Sequence, residues 1–460
     1  MKISRVLIAN RGEIAVRIIR ACRGLGIETV LAVSEADRES LPARLADRAV
    51  CIGPASAARS YLQIGAILAA AVGTGADAVH PGYGFLAESP ELAEACAKAG
   101  LTFVGPQPDQ IQQMGNKLGA RALARRCGVP ILPGSEKVRT YEEVAAMAER
   151  IGLPVMLKAA AGGGGRGMKV VTDLKDLQQS FTAAAGEARA AFGDDTLYVE
   201  RYLPHARHIE VQVLGDRYGT VVHLGERDCS LQRRHQKLVE EAPAPGISDR
   251  LRAEIHQAAV TLARHMRYEN AGTVEFIVDQ DAKAFSFLEM NTRIQVEHPV
   301  TETITGVDLV QEQFRIAAGE PLGFAQADVQ FRGHAIECRI NAEAPDQGFR
   351  PSPGLITEWQ PPEGPGLRLD THCYSGYAVP MFYDSLLAKL IVLGGDRAEA
   401  VARMRRMLEQ FTVSGIATTI PFLRFVLGSP DFAAGKVNTR LVEWLVELWM
   451  RQDGEEQRRR

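Results

Sequence analysis

Four consecutive glycines, Gly162 to Gly165, interrupt the chain between two stretches that read as strands, Pro154 to Lys158 and Met168 to Val171. A run of that length frees the backbone from Cβ restriction and lets successive N–H groups close around an anion. No Lys-Ser/Thr follows it, and the next segment is strand-like, so it is not a P-loop. The pattern predicts a strand–loop–strand flap, with Lys158 at its entrance, over a nucleotide triphosphate. A flexible hairpin tip is the alternative.

The first hundred residues have a different texture. Arg5 to Asn10 reads as a buried strand, Ile14, Ile18, Cys22 and Leu25 lie at helical spacing, and Thr29 to Val33 reads as a second strand. This is a βαβ unit of a parallel sheet without the Gly-x-Gly-x-x-Gly turn, so no nicotinamide or flavin is expected. A further strand, Ala76 to His80, ends in Pro81-Gly82-Tyr83-Gly84, at the end where open α/β sheets place ligands. At 460 residues the chain has room for roughly three domains. Fifty-three basic against 56 acidic residues argue against a nucleic-acid or anionic-membrane partner. Seven cysteines without a Cys-x-x-Cys pair, and no signal-like start, fit a cytoplasmic protein with reduced thiols. The C-terminal Asp453 to Arg460 reads as a frayed polar tail.

Two further clusters carry chemistry. If Thr273 to Val278 and Phe285 to Asn291 form a hairpin centred on Ala282, Glu275 faces Glu289 and Asn291 shares their side. Arg293, Gln295 and Glu297 follow on that face if the chain stays extended, and Phe276 and Leu288 point into a core. Two carboxylates and an amide suit Mg²⁺, completed by phosphates and water; solvated surface acids are the alternative. Glu226-Arg-Asp-Cys-Ser230 and Gln232-Arg-Arg-His-Gln-Lys237 form a charge run, by itself more simply a solvated face.

Together these segments resemble the ATP-grasp superfamily and, more specifically, the biotin carboxylase family. The resemblance is carried by Ile8-Ala-Asn-Arg-Gly-Glu-Ile14, His80-Pro-Gly-Tyr-Gly-Phe-Leu86, the glycine flap and the charge run. Glu289-Met-Asn-Thr-Arg-Ile-Gln-Val-Glu-His-Pro299, Glu337-Cys-Arg-Ile-Asn-Ala-Glu343 and Tyr383-Asp-Ser385 extend it to about Thr439.

The resemblance implies a mixed α/β and α+β chain. It has an N-terminal Rossmann-like parallel-sheet domain (1–112) and an ATP-grasp domain (113–330) with a mobile lid subdomain (about 131–203). A mixed α+β C-terminal domain (331–450) and a polar tail (451–460) follow. It implies an ATP-dependent ligase that carboxylates biotin with bicarbonate through carboxyphosphate. ATP contacts fall on Lys117, Lys158, Gly162, Gly163, Gly164, Gly165, His208, Gln232 and His235, with adenine held by Glu200, Arg201, Tyr202 and Leu203. Glu275, Glu289 and Asn291 are the expected ligands for Mg²⁺ or Mn²⁺, two ions in all. Lys237, Arg293, Gln295 and Val296 form the bicarbonate pocket, and Glu297 is the general base. Arg339 stands beside the biotin ureido oxygen, with Tyr83 and Gly84 on the biotin wall. The implied partners are a biotin carboxyl carrier protein and a carboxyltransferase, and the implied assembly is a homodimer. Carrier lysines of this family lie in Met-Lys-Met, which this sequence lacks. An ATP-grasp ligase joining a carboxylate to an amine is the rival enzyme, and a nucleotide-sensing subunit the non-enzymatic alternative.

Overall fold

The computed structural model describes residues 2–160 and 168–459, so the flap glycines Gly162 to Gly165 lie outside the described residues. The N-terminal strands β1 (Arg5–Ile8), β2 (Glu28–Ser34), β3 (Arg48–Gly53), β4 (Ala78–His80) and β5 (Thr102–Phe103) form a parallel sheet. Its order is β3-β2-β1-β4-β5, so chain order reverses between β1 and β4. Ligand crevices of open parallel sheets form at such a reversal. Asn10, just beyond β1, clamps the turn after β4, donating to the carbonyls of Pro81 and Tyr83 at 2.7 Å each. Gly82 has φ +62°, and a Cβ there would lie 2.9 Å from Asn10 Nδ2. Only glycine fits that clamp. The helix Gly12–Leu25 buries Ile14, Ile18 and Cys22 against Leu309 and Phe314, as their spacing predicts.

The strands β6 (Val155–Ala159), β7 (Lys169–Val171) and β8 (Leu197–Arg201) make a small antiparallel sheet. Helices Tyr141–Ile151 and Leu177–Phe192 contribute to a core around Val144, Val155, Leu157 and Leu197. This core is separate from those of the larger sheets.

The centre is an eight-stranded antiparallel sheet. It holds β9 (Ala206–Gly215), β10 (Val221–Arg233), β11 (Gln236–Ala242), β12 (Asn270–Asp279), β13 (Ala284–Asn291), β14 (His334–Asn341) and strands Leu367–Thr371 and Leu386–Gly394. Strand alternation sends Ile209, Val211 and Val213 toward the helix Asp249–His265, leaving His208, Glu210 and Gln212 on the opposite face. Further along, Ile336, Cys338 and Ile340 enter a core with Met404 and Leu408, and Glu337 and Arg339 take the other side. Because β11 pairs with β14, this sheet runs unbroken through the expected boundary at 330/331.

Three expectations change. The hairpin does place Glu275 opposite Glu289, but a bulge between Glu275 and Phe276 adds a residue to β13. The bulge makes Phe287 the core partner of Phe276 and leaves Leu288 half-buried. The extended run stops at Asn291, because Ile294 must turn inward to reach an apolar core. The helix Leu441–Arg459 continues through the segment read as a frayed tail, whose Glu, Gln and Arg residues are good helix formers. Among the described residues, no helix is long and apolar enough to cross a membrane.

A buried ion knot ties the N-terminal helix to the central sheet. Arg17 lies 2.8 Å from Glu302, which Arg368 reaches at 2.7 Å while also holding Asp370 at 2.7 Å. Burial opposes the charge on Asp370, but Arg368 and then Lys389 outweigh it and lower its carboxyl to about 2. Glu302 is lowered similarly, by Arg17 and Arg368. Depressed carboxyls stabilise the fold above the ordinary carboxylate range and lose that contribution as pH falls from about 4 toward their folded values. Asp370 alone is worth on the order of 2 kcal/mol at neutral pH. Thermal stability should therefore fall steeply in that acid window and less steeply in Asp370→Asn. Equal acid slopes for the two proteins would reject the knot's role.

Candidate active site

The polar side of the large sheet collects charge because neighbouring strands present their alternate residues to the same face. Glu210 on β9 pairs across strands with Glu275 on β12 and Arg227 on β10. Arg227 is fully buried. Its guanidinium donates to Glu210 Oε1 at 2.6 Å, Gln212 Oε1 at 2.9 Å, Thr301 Oγ1 at 3.0 Å and Thr273 Oγ1 at 3.2 Å. Every partner there is an acceptor, as a buried arginine requires.

Lys237 is the hub. A two-residue turn, Arg234-His235, with both residues at positive φ, folds β11 back on β10 in the manner of a type I′ hairpin. It sets Gln232 beside Lys237 across the ladder. Lys237 Nζ donates to Glu297 Oε1 at 2.5 Å, Glu210 Oε2 at 2.6 Å, Gln295 Oε1 at 3.2 Å and Glu275 Oε1 at 3.3 Å. The second oxygen of Glu297 accepts from Arg339 Nη2 at 2.9 Å, and Arg339 Nε donates to Glu240 at 2.6 Å. Burial opposes the Glu297 charge, but Lys237, then Arg339 and Arg227, hold its carboxyl far below the ordinary range.

The expected metal residues come together on this face. Glu275 Oε1 accepts from Asn291 Nδ2 at 2.8 Å and Gln295 Nε2 at 3.0 Å, and its other oxygen lies 2.9 Å from His208 Nε2. Burial disfavours a charged His208, yet the Glu275 carboxylate outweighs it and raises the ring's pKa. Glu289 is more exposed and meets Lys117 at 3.7 Å. Two carboxylates and an amide oxygen on one face, one carboxylate still open, fit a hard divalent cation that keeps phosphate and water ligands. Arg293 donates to Asn291 Oδ1 at 3.1 Å and to Glu88 at 3.0 Å.

The residues expected to contact the nucleotide lie on and beside the small antiparallel sheet. Lys158 Nζ lies 2.6 Å from Glu200 Oε2, and Arg121 meets the other Glu200 oxygen. So the Glu200 side chain orders two cations. The N–H groups of Arg201 and Tyr202 donate to the carbonyls of Pro133 and Pro154, whereas that of Leu203 finds no partner among the described residues. Exposed His235 sits at the tip of the β10–β11 turn.

Tyr83 reaches the same centre from the N-terminal sheet. Its hydroxyl bonds Glu13, which is 3.0 Å from Lys389 Nζ, and that ammonium also donates to the Val296 carbonyl at 2.9 Å. Lys389 is the cross-strand partner of Arg339. Gly84 is exposed beside it, in a cleft of about 120 Å³ lined also by Asn10, Arg11 and Asp384. Sequence reasoning missed Glu210, Arg227, Glu240, Glu337 and Lys389 as site residues. The polar–apolar alternation His208-Ile-Glu-Val-Gln212 could have flagged Glu210; Glu88 carried no signal.

Fold and site together define an ATP-dependent ligase. Family models match residues 2–111 (biotin carboxylase, N-terminal domain), 116–325 (carbamoyl-phosphate synthase L chain, ATP binding domain) and 337–444 (biotin carboxylase C-terminal domain). A biotin carboxylase of Nostoc is 53% identical over 96% of this chain and 99% of its own length. The structure of a biotin carboxylase–βγ-ATP complex from Campylobacter jejuni superposes with TM-score 0.93 at 46% identity, covering 95% of this chain and 98% of that one. The biotin carboxylase domain dimer of Hydrogenobacter thermophilus 2-oxoglutarate carboxylase, with MgADP and bicarbonate, gives TM-score 0.93 at 47% identity, covering 96% and 98%. This chain belongs to the biotin carboxylase family, whose reaction is the ATP-dependent carboxylation of biotin.

Proposed function

We propose that the charged face of the large sheet activates bicarbonate with ATP and passes its carbon to biotin borne by a separate carrier protein. The observation that carries this is the bridging of Glu297 between Lys237 at 2.5 Å and Arg339 at 2.9 Å. One carboxylate thus touches the cation placed for bicarbonate and the cation placed for biotin.

Bicarbonate is a poor electrophile and must first become carboxyphosphate. Lys237, Arg293, Gln295 and the Val296 backbone hold the anion, and Glu297 removes its proton. As bicarbonate draws Lys237 away from Glu297, the carboxylate regains the basicity that the ammonium suppresses. Lys117, Lys158, His208 and the flap N–H groups neutralise and orient the phosphates, with Gln232 and His235 beside them; phosphoryl transfer depends on such positioning. Glu275, Glu289 and Asn291 would hold Mg²⁺ or Mn²⁺, which supplies charge neutralisation on the phosphate oxygens when bound. Adenine lies along Glu200 to Leu203, where the free Leu203 N–H offers a donor. Carboxyphosphate breaks down to CO₂ and phosphate, the phosphate takes the biotin N1′ proton, and Arg339 faces the enolate-like ureido oxygen. An arginine keeps its charge throughout. Tyr83 and Gly84 border the biotin.

The working unit is a cytoplasmic homodimer organised as the three domains set out above, serving a carrier protein and a carboxyltransferase. Incubation with ATP and Mg²⁺ should give ADP that depends on bicarbonate and rises with free biotin, with carboxybiotin as product. Amine-dependent ADP formation without carboxybiotin would overturn the reading, as would no turnover at all. Streptavidin blotting of the purified chain should give no stoichiometric signal.

A further inference from the structure

One buried carboxyl beside the site has no counter-charge of its own. Glu337 on β14 is fully buried, and neither of its side-chain oxygens has a hydrogen-bond partner among the described residues. Its cross-strand neighbour on β11 is another carboxylate, Glu240, also fully buried, whose Oε2 is likewise unpartnered. Side chains of such a pair stand about 5 Å apart at Cβ. The charged and titratable groups facing Glu337 are Glu240 from β11, Arg339 from its own strand, Lys389 from Leu386–Gly394 and Glu297 from the start of the helix His298–Thr305. Cys338 lies between Glu337 and Arg339 in the chain and enters the opposite core.

Arg339 is already spoken for twice, by Glu240 at 2.6 Å through Nε and by Glu297 at 2.9 Å through Nη2. Lys389 is paired with Glu13 at 3.0 Å and donates a hydrogen bond to the Val296 carbonyl at 2.9 Å. A third anion at Glu337 would stand buried and unpaired, at a cost of several kcal/mol. A proton removes that cost and supplies a donor beside the free Glu240 Oε2. Burial and the facing Glu240 both push the Glu337 carboxyl well up, against weaker pulls from Lys389 and Arg339.

We infer that Glu337 is a protonated carboxylic acid that shares its proton with Glu240, and that its neutrality keeps Arg339 available as counter-charge to the biotin ureido oxygen. Glu337 is therefore a positioning residue for the second half-reaction. This rests on the assignment of Arg339 to that oxygen. When Glu337 loses its proton at alkaline pH, a second anion joins the pair, the field of Arg339 weakens and ATP cleavage uncouples from carboxylation.

The test is the ratio of ADP to carboxybiotin, measured with free biotin across neutral to alkaline pH, in the full chain and in Glu337→Gln. The wild-type ratio should rise several-fold with pH, and the Gln ratio should stay flat because it has no proton to lose. Infrared difference spectra over the same range should show loss of a protonated-carboxyl C=O band that shifts in D₂O and is missing from Glu337→Gln. A flat wild-type ratio, a Gln ratio that still rises, or absence of the band overturns the inference. The wild-type titration decides the matter even if the variant does not fold. Arg339→Gln, uncoupled at every pH, supports the underlying reading; normal coupling in that variant would remove the reading itself.

Discussion

Arg339→Gln is expected to go on cleaving ATP while making little carboxybiotin, whereas Glu297→Gln is expected to lose both together. The two residues touch, with Glu297 Oε2 and Arg339 Nη2 2.9 Å apart, so the contrast is one of chemistry rather than location. Glutamine in place of Glu297 keeps size and hydrogen bonding but cannot take the bicarbonate proton, so carboxyphosphate formation slows. A general base is worth about 10²–10⁴-fold, and a loss in that range is the expected size. The same change leaves Lys237 with fewer anions to satisfy, which adds binding defects to the kinetic one. Removing the arginine leaves bicarbonate activation standing, but the developing ureido anion then meets Glu240 and Glu297 with no cation between. The ratio of ADP to carboxybiotin should rise well above one for Arg339→Gln and change far less for Glu297→Gln. Matching ratios in the two variants would show the roles to be wrongly assigned.

Loss of the Arg227 guanidinium should weaken the centre of the molecule. Arg227 is completely buried and donates to Glu210, Gln212, Thr273 and Thr301, which lie on two neighbouring strands and the helix His298–Thr305. Arg227→Met fills much of the space but strands the Glu210 carboxylate and three acceptors. Breaking a buried ion pair on one side costs about 3–5 kcal/mol, mostly from the charge left behind. Lys237 still reaches Glu210 at 2.6 Å, which keeps the cost toward the lower figure. The thermal midpoint should fall clearly, and adding Glu210→Gln should recover part of the loss, a coupling that a double-mutant cycle reads directly. A midpoint unchanged in Arg227→Met would mean that the guanidinium does not hold these strands together.

The central hairpin shows where reading residues in order succeeds and where it stops. Placing Glu275 opposite Glu289 needs only the period of two and the distance to the turn, and the strands do pair there. The bulge that exchanges Phe287 for Leu288 in the core depends on apolar neighbours, among them Phe276, with which both Phe285 and Phe287 make edge-on ring contacts. Similarly, residue order alone reads Arg293, Gln295 and Glu297 as one face of an extended run. They do gather at the site, but by a turn that Ile294 drives into a distant core.

Short-range pattern by itself determined the parallel N-terminal sheet, the pairing strands β6 and β7, the positions of the acidic pair and, through the resemblance, the family and its chemistry. These depend on periodicity and on motifs whose residues lie within a few positions of one another. Only the tertiary structure decided which charges neutralise which. Lys237 serves four partners from three other parts of the chain, Arg339 divides its charge between Glu240 and Glu297, and Glu337 is left without a hydrogen-bond partner among the described residues. A carboxylate's protonation depends on burial and on charges a few ångströms away in space. Residues as far apart as Glu13, Tyr83, Val296 and Lys389 meet only after the N-terminal sheet docks on the large one.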